Sequence, residues 1–264
     1  MRRLTRSLYA LGSSPDPEVP VVLQCGFAGG GVHSLQPFQQ LLPGRHHLAV
    51  HYPGRGARSA EPFAASVQEI AEEAAGAFVE LLGGGAVAPN PLLLGHSMGA
   101  YVALELASLL EERGIQCGAL IVSSSVPPAR GAAESGGLQT LAGHVVADLD
   151  DETLTQVLLA EGGLPADILA EPELLDLVLP VLRHDFALAS AYSTTGDAAV
   201  VGCPVAAFAG ADDPSATPEE MAGWRSSTRA GTEVRSFPGG HFWFRSCPPG
   251  VERTIADVLS RTAG

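Results

Sequence analysis

The chain contains no lysine: its fifteen basic residues are all arginine, set against 29 acidic residues, for a net charge of −14. That balance excludes the broad positive surface on which binding to a phosphate backbone depends, so nucleic acid is not an expected partner. A local basic patch for docking is not excluded. Cysteine is scarce. Cys25, Cys117, Cys203 and Cys247 lie far apart with no CxxC pair, which removes the usual thiol metal and redox motifs. The first three sit in or beside apolar runs and read as buried free thiols, as expected in a reducing cytoplasm. Long hydrophobic runs are missing, so no membrane span is expected. The opening "MRRLTRSLYALGSS" carries basic residues but too short an apolar stretch for a secretory signal. Charged residues make up only 17% of the chain and hydrophobic ones 46%, the balance of a folded globular protein rather than a disordered one. A cytoplasmic monomer is the expectation, and 264 residues are enough for one large domain with a sizeable core.

Short apolar runs bounded by turn residues are abundant: "VPVVLQC" (19–25), "HHLAVHY" (46–52), "PLLLG" (91–95), "CGALIVSSS" (117–125), "PVAAFAG" (204–210) and "TEVRSF" (232–237). Their length and flanking glycines and prolines favour strands over buried helix segments. Segments with helical spacing alternate with them, over 66–82, 99–113 and 249–262. This alternation predicts an α/β fold: a mostly parallel sheet with helices on both faces. "RSLYAL" (6–11) adds a candidate edge strand. The alternation breaks once, between Pro127 and about Val200, where no strand is predicted. "GLQTLAGHVVADL", "DDETLTQVLLAEGGL" and "PELLDLVLPVLRHDFALASAY" predict three or four helices there, an insertion long enough to serve as a lid. Extra helical packing on the sheet is the alternative.

Within this frame, "GHSMG" (95–99) has a strand run before it and a helix pattern after it. A nucleophile elbow needs that strand–turn–helix, because the sharp turn exposes a serine hydroxyl above the sheet. The alternative for Ser97 is a structural turn residue. A serine hydroxyl is inert at neutral pH without a base, and eight histidines compete for that role. His96 should point away from the hydroxyl of its neighbour Ser97. His46, His47 and His51 belong to a strand run as sheet or surface residues, and His33, His144 and His184 fall in loops or lid helices. His241 follows the last strand across a Pro-Gly-Gly turn, at the carboxyl edge where a parallel sheet places reactive groups. It is the candidate base.

A base also needs a carboxylate to fix its tautomer. Asp212 and Asp213 both follow the strand at 204–210. Asp213, at the fourth position of Gly-x-x-Asp, is the preferred acid, with Asp212 left as a turn or capping residue. The order Ser97, Asp213, His241 is that of the α/β-hydrolase fold. An oxyanion hole would come from the N–H of Met98 and from that of Phe27 or Ala28 in "CGFAGGG" (25–31). That glycine run lacks the Lys-Ser/Thr ending of a phosphate-binding loop. No metal or cofactor is called for.

"FAGG" (27–30), "YPGRG" (52–56), "GHSMGA" (95–100), "PELLDLVLPVLRHDF" (172–186), "GADDPSATPEEMAGW" (210–224) and "FPGGHFWF" (237–244) together resemble the type II thioesterases, the free-standing editing enzymes of polyketide and nonribosomal peptide assembly lines. The likeness runs over roughly residues 19 to 260. It implies one α/β-hydrolase domain over 1–264 with a helical lid at 127–200. The implied reaction is hydrolysis of acyl groups from the phosphopantetheine arm of an acyl or peptidyl carrier protein. It also implies a triad of Ser97, Asp213 and His241, with Met98 and Ala28 as oxyanion donors. Gly26 stands where the family often has proline. His33 and Gln36 replace smaller or basic residues, which leaves the choice of acyl chain open. A carboxylesterase, an acyltransferase or cyclase on the same triad, and a ligand-binding scaffold without catalysis are the rival readings.

Overall fold

The computed structural model describes residues 1–128, 140–141, 144–164, 171–194, 196–247 and 249–262. Eight strands form one sheet in the order β1-β2-β4-β3-β5-β6-β9-β10. They are β1 (Arg2–Arg3), β2 (Leu8–Ala10), β3 (Val21–Cys25), β4 (His46–Val50), β5 (Leu92–His96), β6 (Ala119–Ser123), β9 (Val205–Gly210) and β10 (Thr232–Phe237). From β4 to β10 every neighbouring pair is parallel, while β2 runs antiparallel to β4 and β1 antiparallel to β2. The predicted edge strand at 6–11 is therefore β2, and β1 is the true edge.

Alternate residues of each central strand divide between two cores. Leu23, Leu93, Leu120 and Ala207 face one cluster, while Val22, Leu94, Ile121 and Phe208 face the other. A sheet buried on both faces requires apolar residues at consecutive positions, which is why these strands read as continuous hydrophobic runs. The first cluster includes buried residues of helices α2 (Val67–Gly83) and α3 (Met98–Glu112), the second those of α1 (Phe38–Leu41) and α7 (Val251–Thr262). Ser66 caps α2, its hydroxyl accepting from the N–H of Glu69 at 3.0 Å. A short α6 (Pro218–Met221) opens with a capping box made by Thr217 and Glu220. Cys25, Cys117 and Cys203 are buried free thiols, and Cys247 is a half-buried one. No described helix is long and apolar enough to cross a membrane.

Between β6 and β9 the chain leaves the sheet. Two of the predicted helices are present, α4 (Asp151–Ala160) and α5 (Pro172–Ser193). The stretch 137–149 differs from the expectation. Its described part holds a two-residue antiparallel pairing, β7 (Thr140–Leu141) with β8 (His144–Val145), followed by a tight turn of 3-10 helix at Val146–Asp148. β-Branched Thr140 and Val145 favour extended backbone over helix there, and His144 lies in a strand rather than a loop or helix. Residues 129–139 of the predicted connector and 165–170 lie outside the described residues.

Candidate active site

The loops at the carboxyl ends of β3, β5, β9 and β10 converge on one point. β5 ends at His96, and α3 begins at Met98, so Ser97 alone makes the turn. It does so with φ 55° and ψ −127°, a left-handed conformation that a side chain rarely adopts. Close backbone approach on both sides requires glycine. A Cβ on Gly99 would lie 2.0 Å from the Cys25 carbonyl oxygen, and one on Gly95 would lie 2.1 Å from that of Gly99. The Ser97 N–H donates to the Ser123 carbonyl at 2.9 Å and pins the turn to β6.

Asp213 and His241 are brought together by a second tight approach. The N–H groups of Ala211 and Asp212 donate to the carbonyls of Phe237 and Gly239 at 2.8 and 3.0 Å, and a Cβ on Gly210 would sit 2.1 Å from the Gly240 carbonyl oxygen. Across this junction His241 Nδ1 lies 3.0 Å from Asp213 Oδ2, with both side chains buried. The other carboxylate oxygen of Asp213 accepts from the Ser215 N–H at 2.9 Å. Asp212, the alternative acid, is exposed. Burial alone would push the Asp213 carboxyl up. The hydrogen bond and charge of His241, together with the Ser215 N–H, outweigh that and hold it below the usual carboxylate range.

Ser97 and His241 line one narrow slot of about 20 Å3 with Phe27, Ala28, Phe186 and Phe242. Beside it lies a cleft of about 1260 Å3, which meets the slot at Phe27 and Gly163 and is walled by Val178 and Val181 of α5. His33 and Gln36 line this cleft. Of the oxyanion candidates, Phe27 and Ala28 line the slot. Met98 opens α3 and so has no intrahelical acceptor for its N–H. Among the described residues, none accepts from the N–H of Phe27 or Ala28. 

His96 is fully buried and pairs with Ser123. Its Nδ1 lies 3.0 Å from the Ser123 hydroxyl, which also accepts from the Trp243 indole N–H at 3.2 Å. Burial, then the charges of His241 and Arg245, push the His96 imidazole well below its usual value and keep it neutral. His47 is bound between Gln24 and the Leu42 carbonyl, and His184 meets the Ala64 carbonyl. Among the described residues, no group of three or more His, Cys, Asp or Glu is placed to hold a metal ion.

The profile of the thioesterase domain matches residues 20–259, nearly the whole chain. The chain belongs to the thioesterase family. This thioesterase is 35% identical over 253 residues to thioesterase PikA5 of Streptomyces venezuelae, covering 95% of this chain and 85% of that one. It is 30% identical over 220 residues to the gramicidin S biosynthesis protein GrsT of Aneurinibacillus migulanus, covering 82% and 80%. The solved structure of the type II thioesterase BorB, from the borrelidin biosynthetic cluster, superposes with a TM-score of 0.76 at 30% identity, covering 96% and 97% of the two chains. The thioesterase therefore carries the α/β-hydrolase fold and is a hydrolase of thioesters.

One contact escaped sequence reasoning. Arg55, Asp185 and Gly29 meet beside the slot although they come from three distant segments. Their motifs, "YPGRG", "LRHDF" and "FAGG", could each be quoted from the sequence. No local periodicity or spacing says that they touch.

Proposed function

We propose that this thioesterase removes acyl groups from the phosphopantetheine arm of an acyl or peptidyl carrier protein in polyketide or nonribosomal peptide biosynthesis. The observation that carries the reading is the buried His241–Asp213 pair opening on the same slot as Ser97, in a chain whose relatives include a type II thioesterase. Ser97 Oγ attacks the thioester carbonyl while His241 Nε2 takes its proton, and Asp213 steadies the resulting imidazolium through Nδ1. The carbonyl π electrons move onto oxygen, where the N–H groups of Met98 and Ala28, or of Phe27, receive the charge. The carbon–sulfur bond then breaks and the arm leaves as a thiol, returning the proton from His241. Water, deprotonated by the same imidazole, attacks the acyl-Ser97 ester, and the carboxylic acid departs. A neutral His96 adds no like charge beside the imidazolium.

No cofactor enters this scheme. The cleft, of about 1260 Å3, lies beside the slot, and among the described residues neither Asp nor Glu lines it, which suits a ligand carrying a phosphate. The slot is too small for an acyl chain as it stands, so the segment 127–200 acts as a lid whose helices α4 and α5 shift on binding. Buried free thiols fit a cytoplasmic setting.

The test is a panel of acyl-carrier proteins, acyl-pantetheine thioesters and matched oxygen esters, with Ser97→Ala as control. Preference for carrier-bound thioesters supports the proposal. Preference for oxygen esters, transfer to a second nucleophile in place of hydrolysis, or full activity in Ser97→Ala would each overturn it.

A further inference from the structure

Residues 27–30 form a tight turn in which the Gly30 N–H donates to the Phe27 carbonyl at 2.8 Å. Gly29 occupies its third position with φ 76°, the left-handed value a type II turn demands. The peptide between Phe27 and Ala28 is trans, so the Ala28 N–H points opposite to the carbonyl that Gly30 holds. The shape of this turn thus decides where an oxyanion donor aims.

Two residues of α5 clamp the turn from outside. Leu182 packs so closely that a Cβ on Gly29 would lie 2.4 Å from its Cδ2. One turn of helix later, Asp185 accepts the Gly29 N–H on Oδ2 at 2.7 Å. The same carboxylate receives both ends of the Arg55 guanidinium, at 2.5 Å on Oδ2 and 2.7 Å on Oδ1. Asp185 is fully buried and Arg55 nearly so. Tyr52, three residues before Arg55, stacks beneath its guanidinium at 5.1 Å and donates its hydroxyl proton to the Gly26 carbonyl at 2.9 Å. A bidentate guanidinium fixes both the position and the plane of a carboxylate. A buried ion pair is weak evidence of a stabilising role, since an apolar pair of like volume often serves as well. Here the pair also aims one oxygen at a backbone N–H in the turn that carries an oxyanion donor.

We infer that Asp185, held by Arg55, is a positioning residue that fixes the oxyanion turn and couples it to the α5 helix. The inference rests on the proposed hydrolysis through Ser97. Its direct test is the double variant Arg55→Met with Asp185→Leu, which replaces the ion pair by an apolar one and leaves the Gly29 N–H without its acceptor. Hydrolysis of an acyl-pantetheine thioester and inhibition by the matching acyl trifluoromethyl ketone, which forms an oxyanion on Ser97, are measured beside thermal unfolding.

The expected result is a folded protein whose kcat falls about tenfold or more, as when oxyanion donors are disturbed. KM should stay within about threefold, and affinity for the ketone should fall in parallel with kcat. A folded variant with parental kcat, or one whose kcat falls while ketone affinity holds, overturns the inference. If the double variant does not fold, Asp185→Asn is judged by the same criteria. A parent protein inactive on every thioester would instead sink the functional proposal, so the two failures are distinct.

Discussion

The imidazole of His96 lies against that of His241, ring centroids 4.9 Å apart, yet only His241 touches a carboxylate. Burial, first of all, holds His96 neutral. An unfolded chain takes up a proton on this residue below about pH 6.5, which the native state refuses. The contribution is therefore intact above that pH and is lost as pH falls, at up to about 1.4 kcal/mol per pH unit for one such group. Urea unfolding between pH 8 and 5 should show stability declining on the acid side. Burial lowers His47 and His51 as well, so His96→Gln should flatten the decline in part. An unchanged slope in that variant would place the acid sensitivity elsewhere.

Asp213 and Asp212 are neighbours with opposite expectations. Asp213→Asn keeps the shape but favours the wrong tautomer of His241, and kcat should fall by about 10^3 to 10^4. Asp212→Asn, at an exposed position, should stay within about threefold of the parent. Steady-state kinetics on one thioester distinguish them, and reversed effects would move the acid to Asp212.

Glycine substitutions should divide by sign. Gly99→Ala drives a Cβ to 2.0 Å from the Cys25 carbonyl oxygen, which should destabilise by about 3 kcal/mol or more. Gly76 lies inside α2 with open space around its Cα and no left-handed φ, so Gly76→Ala should stabilise by about 0.5–1 kcal/mol. Denaturant midpoints check both.

What could be seen in the sequence follows from how local each signal is. The strands were visible because a sheet covered on both faces needs unbroken apolar runs, as in "PLLLG" and "PVAAFAG". Ser97, Asp213 and His241 stood out because each lies within a few residues of the end of a strand-like run. The turn at Ser97 carries its own glycine signature, since Gly95 and Gly99 meet backbone on both sides. The pairing of Thr140–Leu141 with His144–Val145 was hidden within a stretch read as helix, where two-residue strands leave too short a pattern. The Arg55–Asp185 pair joins positions 130 residues apart. An ion pair of that kind has no periodicity to betray it, and only the folding of α5 over the turn at 27–30 brings it together.

Mass spectrometry during turnover tests the central claim most directly. The protein, quenched while hydrolysing an acyl-pantetheine thioester, should carry the acyl mass on the peptide containing Ser97, with no adduct and no turnover in Ser97→Ala. Acylation of a different residue, or turnover retained without Ser97, would contradict the account.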